Sequence, residues 1–372
     1  MKRRDFVTSA LIAAGAAGCA KPQSGSDAAV GGKTYNWKMV TTWPPNFPGL
    51  GTGATWLARA IEEASGGRLR IKVYGGGELV PPLEVFDAVA GGTAEMGHSA
   101  GYYWKGKSAA SQFFGAVPFG MEVIEVNGWL YHGGGLELWR EVYEPFGLVP
   151  FPAGNTGVQM GGWFNREINS VDDLRGLKMR IPGLGGDVLR RAGGTPVLLA
   201  GGDVYTALET GAIDATEWVG PYNDLAFGLH KAARYYYYPG WHEPGSVLEC
   251  IVNKRQWEAL PDDLKAIVDT ACRAANLEMF AEYTAFNQQA LRALVDEHGV
   301  EVRRFPDAVL ARLEALSRKV LEELAARDAI VRRVYDSYKG FLEKAREWQA
   351  VSELAYLQTR GKEMSKEGSD PS

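Results

Sequence analysis

Cysteine and histidine are scarce in this 372-residue chain, with 3 and 5 copies. No CxxC pair and no Cys/His cluster occurs, which excludes a structural zinc site on spacing. His98, His132, His230, His242 and His298 lie scattered along the chain without metal-ligand spacing, and none is assigned a catalytic role. Blocks of basic residues are missing as well. With a net charge of −5, the composition argues against nucleic acid as a partner. Long apolar runs are also missing: Val7 to Ala17 spans only eleven residues, where a membrane-crossing helix needs about 20.

That short run has another use. It follows Lys2-Arg3-Arg4-Asp5-Phe6, a basic stretch with a twin arginine, and together they have the shape of a cleavable export signal covering 1–19. Ala16-Ala17-Gly18-Cys19 resembles a bacterial lipoprotein cleavage box, so Cys19 is either lipidated or lies near a different cut. Residues 20–34, rich in Ser, Gly and Ala, read as a flexible linker. The mature protein is expected on the periplasmic, extracytoplasmic side. If processing consumes Cys19, Cys250 and Cys272 remain, either as two buried thiols, the reading preferred for a large core, or as a disulfide.

Roughly 340 residues remain after the signal and linker, enough for two domains with sizeable cores. Short β-like runs alternate with amphipathic helical runs, which is the pattern of an α/β protein. Strands are expected at Tyr35–Thr41, Leu69–Tyr74, Glu95–Ser99, Leu148–Pro152, Val158–Phe164, Lys178–Ile181, Pro196–Leu199, Ala212–Trp218 and Val247–Asn253. Helices are expected between them. From Pro261 to His298 no proline interrupts a helical pattern, and Asp262 and Asp263 suit the amino end of the helix macrodipole. At 1.5 Å per residue such a helix reaches roughly 55 Å, long enough to lie across both domains. Helical pattern resumes after Pro306, and its last part, Tyr338 to Leu357, is expected to extend beyond what two domains cover.

One arginine stands out. Arg180 ends a short apolar strand that Pro182 stops, so its guanidinium is expected at the carboxyl edge of a sheet, where open α/β sheets place ligands. A planar fork of donors there suits a carboxylate. Oxygen donors at Gln159, Glu217 and Glu243 lie on neighbouring glycine-rich stretches.

An enzymatic reading competes with a receptor. Gly97-His98-Ser99-Ala100-Gly101 matches the G-x-S-x-G nucleophile elbow, and His132-Gly133-Gly134-Gly135 matches an oxyanion-loop motif. Together they describe a secreted serine hydrolase with Ser99 as nucleophile and His242 or His298 as base. The order argues against it, because the glycine loop should precede the serine and here follows it by 33 positions. The segment after Ser99 also lacks helical periodicity. Gly183-Leu184-Gly185-Gly186-Asp187-Val188 has Val188 in place of the third glycine of a dinucleotide fingerprint, and reads as a tight strand-to-helix turn.

Gly176-Leu177-Lys178-Met179-Arg180-Ile181-Pro182, followed by Val204-Tyr205-Thr206-Ala207-Leu208-Glu209-Thr210-Gly211-Ala212-Ile213-Asp214-Ala215, resembles the solute-receptor signature of the tripartite ATP-independent periplasmic (TRAP) transporters. The likeness extends from about Tyr35 to Lys344. Gln159, Glu217-Trp218 and Trp241-His242-Glu243 are most similar to the branch that binds 2-oxo and 2-hydroxy monocarboxylates such as lactate and pyruvate. The resemblance implies a two-lobed periplasmic-binding-protein fold of type II, with a long helix spanning both lobes and an extra C-terminal helix. It places lobe I at 35–155 plus 245–285, lobe II at 156–244 plus 286–340, and the C-terminal helix and tail at 341–372. It implies the permease subunits of a TRAP transporter as partners, and a homodimer through the C-terminal helix.

Carried over residue by residue, the resemblance makes Arg180 the carboxylate-binding arginine. It makes Gln159, Glu217, the carbonyl of Trp218 and Glu243 the metal ligands. Tyr103, Asn155, Asn223 and Trp43 become wall or hydrogen-bonding residues of the cleft. Residue types alone would not assign these roles. Hard oxygen ligands suit Ca²⁺ or Na⁺. Two glutamates and a bound carboxylate against one arginine leave two negative charges in excess, which favours Ca²⁺ first and Na⁺ second. A receptor of the same fold for a larger acid or a sugar is the remaining alternative.

Overall fold

The computed structural model describes residues 33–367, with side chains to Arg360. The expected export signal and Cys19 lie outside the described residues. The first lobe begins with β1 (Tyr35–Thr41), α1 (Leu50–Ala64), β2 (Leu69–Tyr74), α2 (Val85–Ala90) and β3 (Met96–Ser99). After α3 (Val123–His132) and α4 (Gly135–Tyr143), β4 (Leu148–Asn155) leads out of it. The second lobe is built from β5 (Gly162–Phe164), β6 (Lys178–Arg180), α5 (Gly183–Arg191), β7 (Thr195–Val197), α6 (Gly201–Glu209), β8 (Ala215–Thr216), α7 (Pro221–Phe227) and β9 (Tyr235–Tyr238). The chain then returns to the first sheet as β10 (Val247–Asn253) and continues through α8 (Lys254–Glu258) into α9 (Asp262–Arg292). A last strand, β11 (Glu301–Arg304), precedes α10 (Asp307–Ala325), α11 (Ala329–Val351) and α12 (Glu353–Glu367).

The two sheets have orders β2-β1-β3-β10-β4 and β11-β9-β5-β8-β6-β7. β1 pairs in parallel with β2 and β3, whereas β10 runs antiparallel between β3 and β4. All seven residues of β10 are buried, as its near-continuous apolar run requires of a strand covered on both faces. α9 forms as the sequence predicts: no proline interrupts it, Asp262 and Asp263 open it and Arg292 closes it. Its buried face packs on β4 and α1 in the first lobe and on α7 in the second.

Several elements differ from the sequence expectation. Val158 to Gly161 is not strand, because these residues form a crossing between the sheets. β8 keeps only Ala215–Thr216 of the expected Ala212–Trp218, since Glu217 and Trp218 turn into the cleft. β9 is four consecutive tyrosines and β11 holds one apolar residue among charges, so neither shows the alternation that betrays a strand. The expected placement of 329–340 in the second lobe is also corrected. α11 packs on the first lobe, where Tyr338 Oη accepts from the Met121 amide at 2.6 Å and Trp129 Nε1 donates to Ser337 Oγ at 3.1 Å. Farther along, Trp348 and Val351 on α11 and Tyr356 on α12 are 65%, 73% and 65% exposed, an apolar stripe that this chain alone leaves in solvent.

Cys250 and Cys272 are free, buried thiols in one core. Burial, and then contact with Cys250, raises the Cys272 thiol well above its ordinary range. Glu249, their neighbour on β10, is fully buried and accepts from Trp104 Nε1 at 2.5 Å and Tyr143 Oη at 2.7 Å. Burial pushes its carboxyl up to about 7, against the two hydrogen bonds that lower it. The folded state therefore holds a proton that the unfolded chain releases near pH 4.5, so stability falls as pH rises from there through 7. Glu249→Gln, which retains an acceptor and cannot ionise, is expected to match the wild type in melting temperature near pH 5 and to exceed it at pH 8. A pH-independent difference in differential scanning calorimetry would contradict this.

Candidate functional site

Arg180 and Glu217 are brought together by strand register. β6 and β8 are parallel with Arg180 opposite Thr216, so Glu217, the next residue, emerges beside Arg180 at the carboxyl ends of both strands. Its amide donates to the Arg180 carbonyl at 3.2 Å. Two crossing segments, 156–161 and 239–246, face this edge and bond to each other. Thr156 N–H donates to Ser246 O at 3.0 Å, Gln159 N–H to Glu243 O at 3.2 Å, and Gly240 N–H to Gln159 O at 2.9 Å. A Cβ on Gly240 would stand 2.2 Å from the Gln159 carbonyl oxygen, so this approach requires glycine. Gln159 and Glu243 thus sit side by side on the paired crossings, and Glu217 faces them from the strand end.

The side chains form one buried network. Arg180 Nη1 is ion-paired with Glu217 Oε1, Nη2 donates to Tyr103 Oη at 3.1 Å and Nε to Leu199 O at 3.3 Å. Its guanidinium lies 4.9 Å from the Trp218 ring, a cation–π contact. Gln159 Nε2 donates to Thr156 Oγ1 at 3.0 Å and to Glu243 Oε2 at 2.9 Å. His242 Nε2 lies 3.3 Å from Glu217 Oε2. Arg180, Gln159, Glu217, His242 and Glu243 are each no more than 4% exposed.

The electrostatics follow from burying so much charge. Burial, and then the Glu217 charge, push the Glu243 carboxyl up to about 7. For Arg180, burial alone would favour the neutral form, but Glu217, Tyr103 and the adjacent Tyr102 outweigh it and hold the guanidinium protonated. Burial likewise raises the Tyr103 hydroxyl, with Arg180 opposing it.

Gln159 Oε1, Trp218 Nε1, His242 Nδ1 and Asn155 Nδ2 are buried without a hydrogen-bond partner. Leaving a polar group so costs about 1–3 kcal/mol, and a group of them in one place marks a site that a ligand completes. The adjoining pocket, closed down to a residual cavity of ≈ 10 Å³, is walled by Trp43, Leu50, Tyr102 and Tyr103 from the first lobe and by Thr156, Gln159, Arg180 and Trp218 from the second.

Donor atoms of Glu217, His242 and Glu243 lie within 4.8 Å of one another. With Gln159 Oε1 alongside, this is a mainly hard, oxygen-rich set that fits a calcium- or sodium-type ion better than a soft metal.

The structure therefore brings together Arg180, Gln159, Glu217, Trp218 and Glu243, with Tyr103 reaching in from the opposite lobe. Trp43 lines the pocket by its ring, but its Nε1 donates to His98 Nδ1 at 2.8 Å. The His98 proton is thereby placed on Nε2, facing Ala153 O at 3.1 Å, and burial lowers its pKa to about 4. Asn155 stands behind the wall with Oδ1 accepting from Gly157 N–H at 2.8 Å. Asn223 is corrected: it does not line the pocket. Its Nδ2 donates to Pro48 O at 2.9 Å and its Oδ1 accepts from Tyr283 Oη at 2.8 Å, tying α7 to the first lobe and to α9. Thr156, Tyr102 and His242 were missed by sequence reasoning; only the Trp241-His242-Glu243 run carried any signal for them.

The hydrolase motifs come apart. Ser99 is fully buried and shares a 2.5 Å hydrogen bond with Thr42. His242 is held at Glu217, and His298 stacks on His230 at 4.2 Å, so neither serves Ser99. No described helix is long and apolar enough to cross a membrane.

Residues 39–328 match the family described as bacterial extracellular solute-binding protein, family 7. The chain is 44% identical over 359 residues to a monocarboxylate 2-oxoacid-binding periplasmic protein of Nostoc sp., covering 96% of this chain and 98% of that one. Two solved structures of TRAP periplasmic solute-binding proteins are similar at 44% identity. One, from Pseudoalteromonas atlantica with bound sodium and pyruvate, has a TM-score of 0.85 over 88% of this chain and 99% of that chain. The other, from Colwellia psychrerythraea with bound calcium and pyruvate, has a TM-score of 0.86 over 88% of this chain and 100% of that chain.

Proposed function

Because the chain belongs to family 7 of the bacterial extracellular solute-binding proteins, the receptors of TRAP transporters, we propose that it captures a small 2-oxo monocarboxylate of the pyruvate class. It does so together with a cation, and hands the acid to the membrane permease. Members of this family bind and release; they are not enzymes. The observation that carries the reading is the convergence of Arg180 with Glu217, Glu243 and the unpartnered Gln159 Oε1 beside a pocket closed from both lobes.

A guanidinium has five N–H donors, and three of those on Arg180 are engaged with Glu217, Tyr103 and Leu199. Two are left for the carboxylate of the acid. Gln159 Oε1, Glu217, Glu243 and the Trp218 carbonyl would hold the ion, Ca²⁺ by preference and Na⁺ second. The ion supplies positive charge for the carboxylate and the 2-oxo oxygen. Trp43, Tyr102, Tyr103 and Trp218 exclude water, which strengthens every charge–charge term inside. A sugar or a larger acid would need more room than the closed pocket leaves and would hold the lobes apart.

Closure follows from differential affinity. The open cleft presents only one lobe's contacts, whereas the closed one adds Tyr103, so binding shifts the population toward closure. We place this work on the periplasmic side, after export by the Lys2-Arg3-Arg4 signal, with Cys19 as the candidate lipid site. We take 35–155 plus 245–285 and 156–244 plus 286–328 as the moving halves. The exposed Trp348, Val351 and Tyr356 stripe is read as the surface through which two copies pair. Native mass spectrometry of freshly purified protein tests the whole reading at once: a copurified acid, a calcium or sodium mass and a dimer are expected. A ligand-free, metal-free species that gains no mass with pyruvate and Ca²⁺ would overturn it.

A further inference from the structure

The short helical turn Gly101–Trp104 of the first lobe carries Tyr102 and Tyr103 and runs on into Lys105. Opposite it, Arg180 on β6 runs on through Pro182 into α5 of the second lobe. The two segments meet at three successive levels. Deepest is the Arg180 Nη2 to Tyr103 Oη hydrogen bond of 3.1 Å. Next, Gly183, at φ +59, lies so close to Tyr102 that a Cβ would stand 2.8 Å from the Tyr102 Cβ. Outermost, Lys105 Nζ pairs with Asp187 Oδ1 at 3.0 Å and points at the Gly183 carbonyl at 3.4 Å.

Resting on the receptor reading above, we propose that Lys105, Gly183 and Asp187 form an interlobe clasp that keeps the cleft shut over the bound acid. The Lys105 and Asp187 side chains are 36% and 26% exposed, so the pair sits at the rim, where water reaches both partners as soon as the lobes part. Asp187 also accepts from Arg190 Nη1 on its own helix at 2.7 Å. It therefore stays compensated in the open state, and opening leaves no buried charge behind. The clasp exists only in the closed form and supports the fold of neither lobe. It positions Tyr102 and Tyr103 over Arg180 by pinning the far end of the turn that carries them.

Such a device slows escape of the bound acid and also holds part of the ligand-free population shut, so weakening it opens the cleft in both states. An exposed ion pair of this kind changes an equilibrium by about twofold to fivefold. In stopped-flow fluorescence of the full, Ca²⁺-loaded chain with pyruvate, Lys105→Met and Asp187→Asn are expected to raise the dissociation rate by about that factor. Association should be no slower, and the melting temperature of the ligand-free protein should stay unchanged. Lys105→Arg should restore the slow rate, and the double variant should be no worse than either single one, as shared contacts dictate. Gly183→Ala, which wedges Tyr102 away, is expected to act in the same direction and more strongly. Small-angle scattering of the ligand-free chain reads the clasp without any acid: Lys105→Met should enlarge the mean radius. Unchanged dissociation rates in variants that bind pyruvate, or an unchanged radius where no variant or wild type binds it, would overturn the clasp. Loss of pyruvate binding in the wild type itself overturns the receptor reading instead.

Discussion

Arg180→Ala is expected to abolish measurable binding of pyruvate-class acids while leaving a folded protein. The guanidinium is 1% exposed in the closed form and balances Glu217 directly. Truncating one partner of a buried, hydrogen-bonded charge pair costs about 2–5 kcal/mol, which is about 30-fold to several thousand-fold in affinity. The acid would then enter beside two glutamates with no fixed positive charge to meet it. Folding should suffer far less, because Arg180 and Glu217 lie at the lobe interface and regain water when the cleft opens. Titration calorimetry with pyruvate checks the first part and thermal melting of the ligand-free variant the second. Retained affinity would remove Arg180 from the role assigned to it.

Removing the cation should have an effect of similar size. With Glu217 and Glu243 both ionised, a bound carboxylate leaves two negative charges uncompensated in a closed cleft, and burying unpaired charge is strongly unfavourable. Chelated protein is therefore expected to bind pyruvate at least about 100-fold more weakly, equivalent to 2.7 kcal/mol or more, and added Ca²⁺ should restore it. Glu243→Gln removes one of those charges. A monovalent ion then neutralises the site, so the variant should shift its preference from Ca²⁺ toward Na⁺. Calorimetric titrations in calcium and in sodium buffers read this directly. A variant with unchanged cation selectivity would show that Glu243 is not a ligand.

Local features of the chain were legible where local chemistry decides them. α9 could be read because nothing in it breaks a helix and its end charges fit the dipole, and Arg180 because Pro182 ends its strand at a sheet edge. Burial and convergence were not legible in this way. Gln159 and Glu243 lie 84 positions apart, joined by a pairing of crossing segments that no periodicity announces. Asn223 was misplaced because its two partners, Pro48 and Tyr283, are 175 and 60 positions away. Its sequence neighbourhood carries no trace of either. Four tyrosines in β9 hid a strand for the opposite reason: a run without polar residues has no alternation to show. The resemblance to a receptor family linked residues that spacing alone left unconnected.

The central claim is that Arg180 and a hard cation jointly neutralise a small organic anion between two lobes. A crystal structure of the Ca²⁺- and pyruvate-loaded protein, with the ion located by its anomalous signal, tests it most directly. The account predicts an oxygen-coordinated ion at about 2.3–2.6 Å from Gln159, Glu217 and Glu243, touching a carboxylate that Arg180 also grips. An ion bound elsewhere, or an acid that never meets the guanidinium, would contradict it.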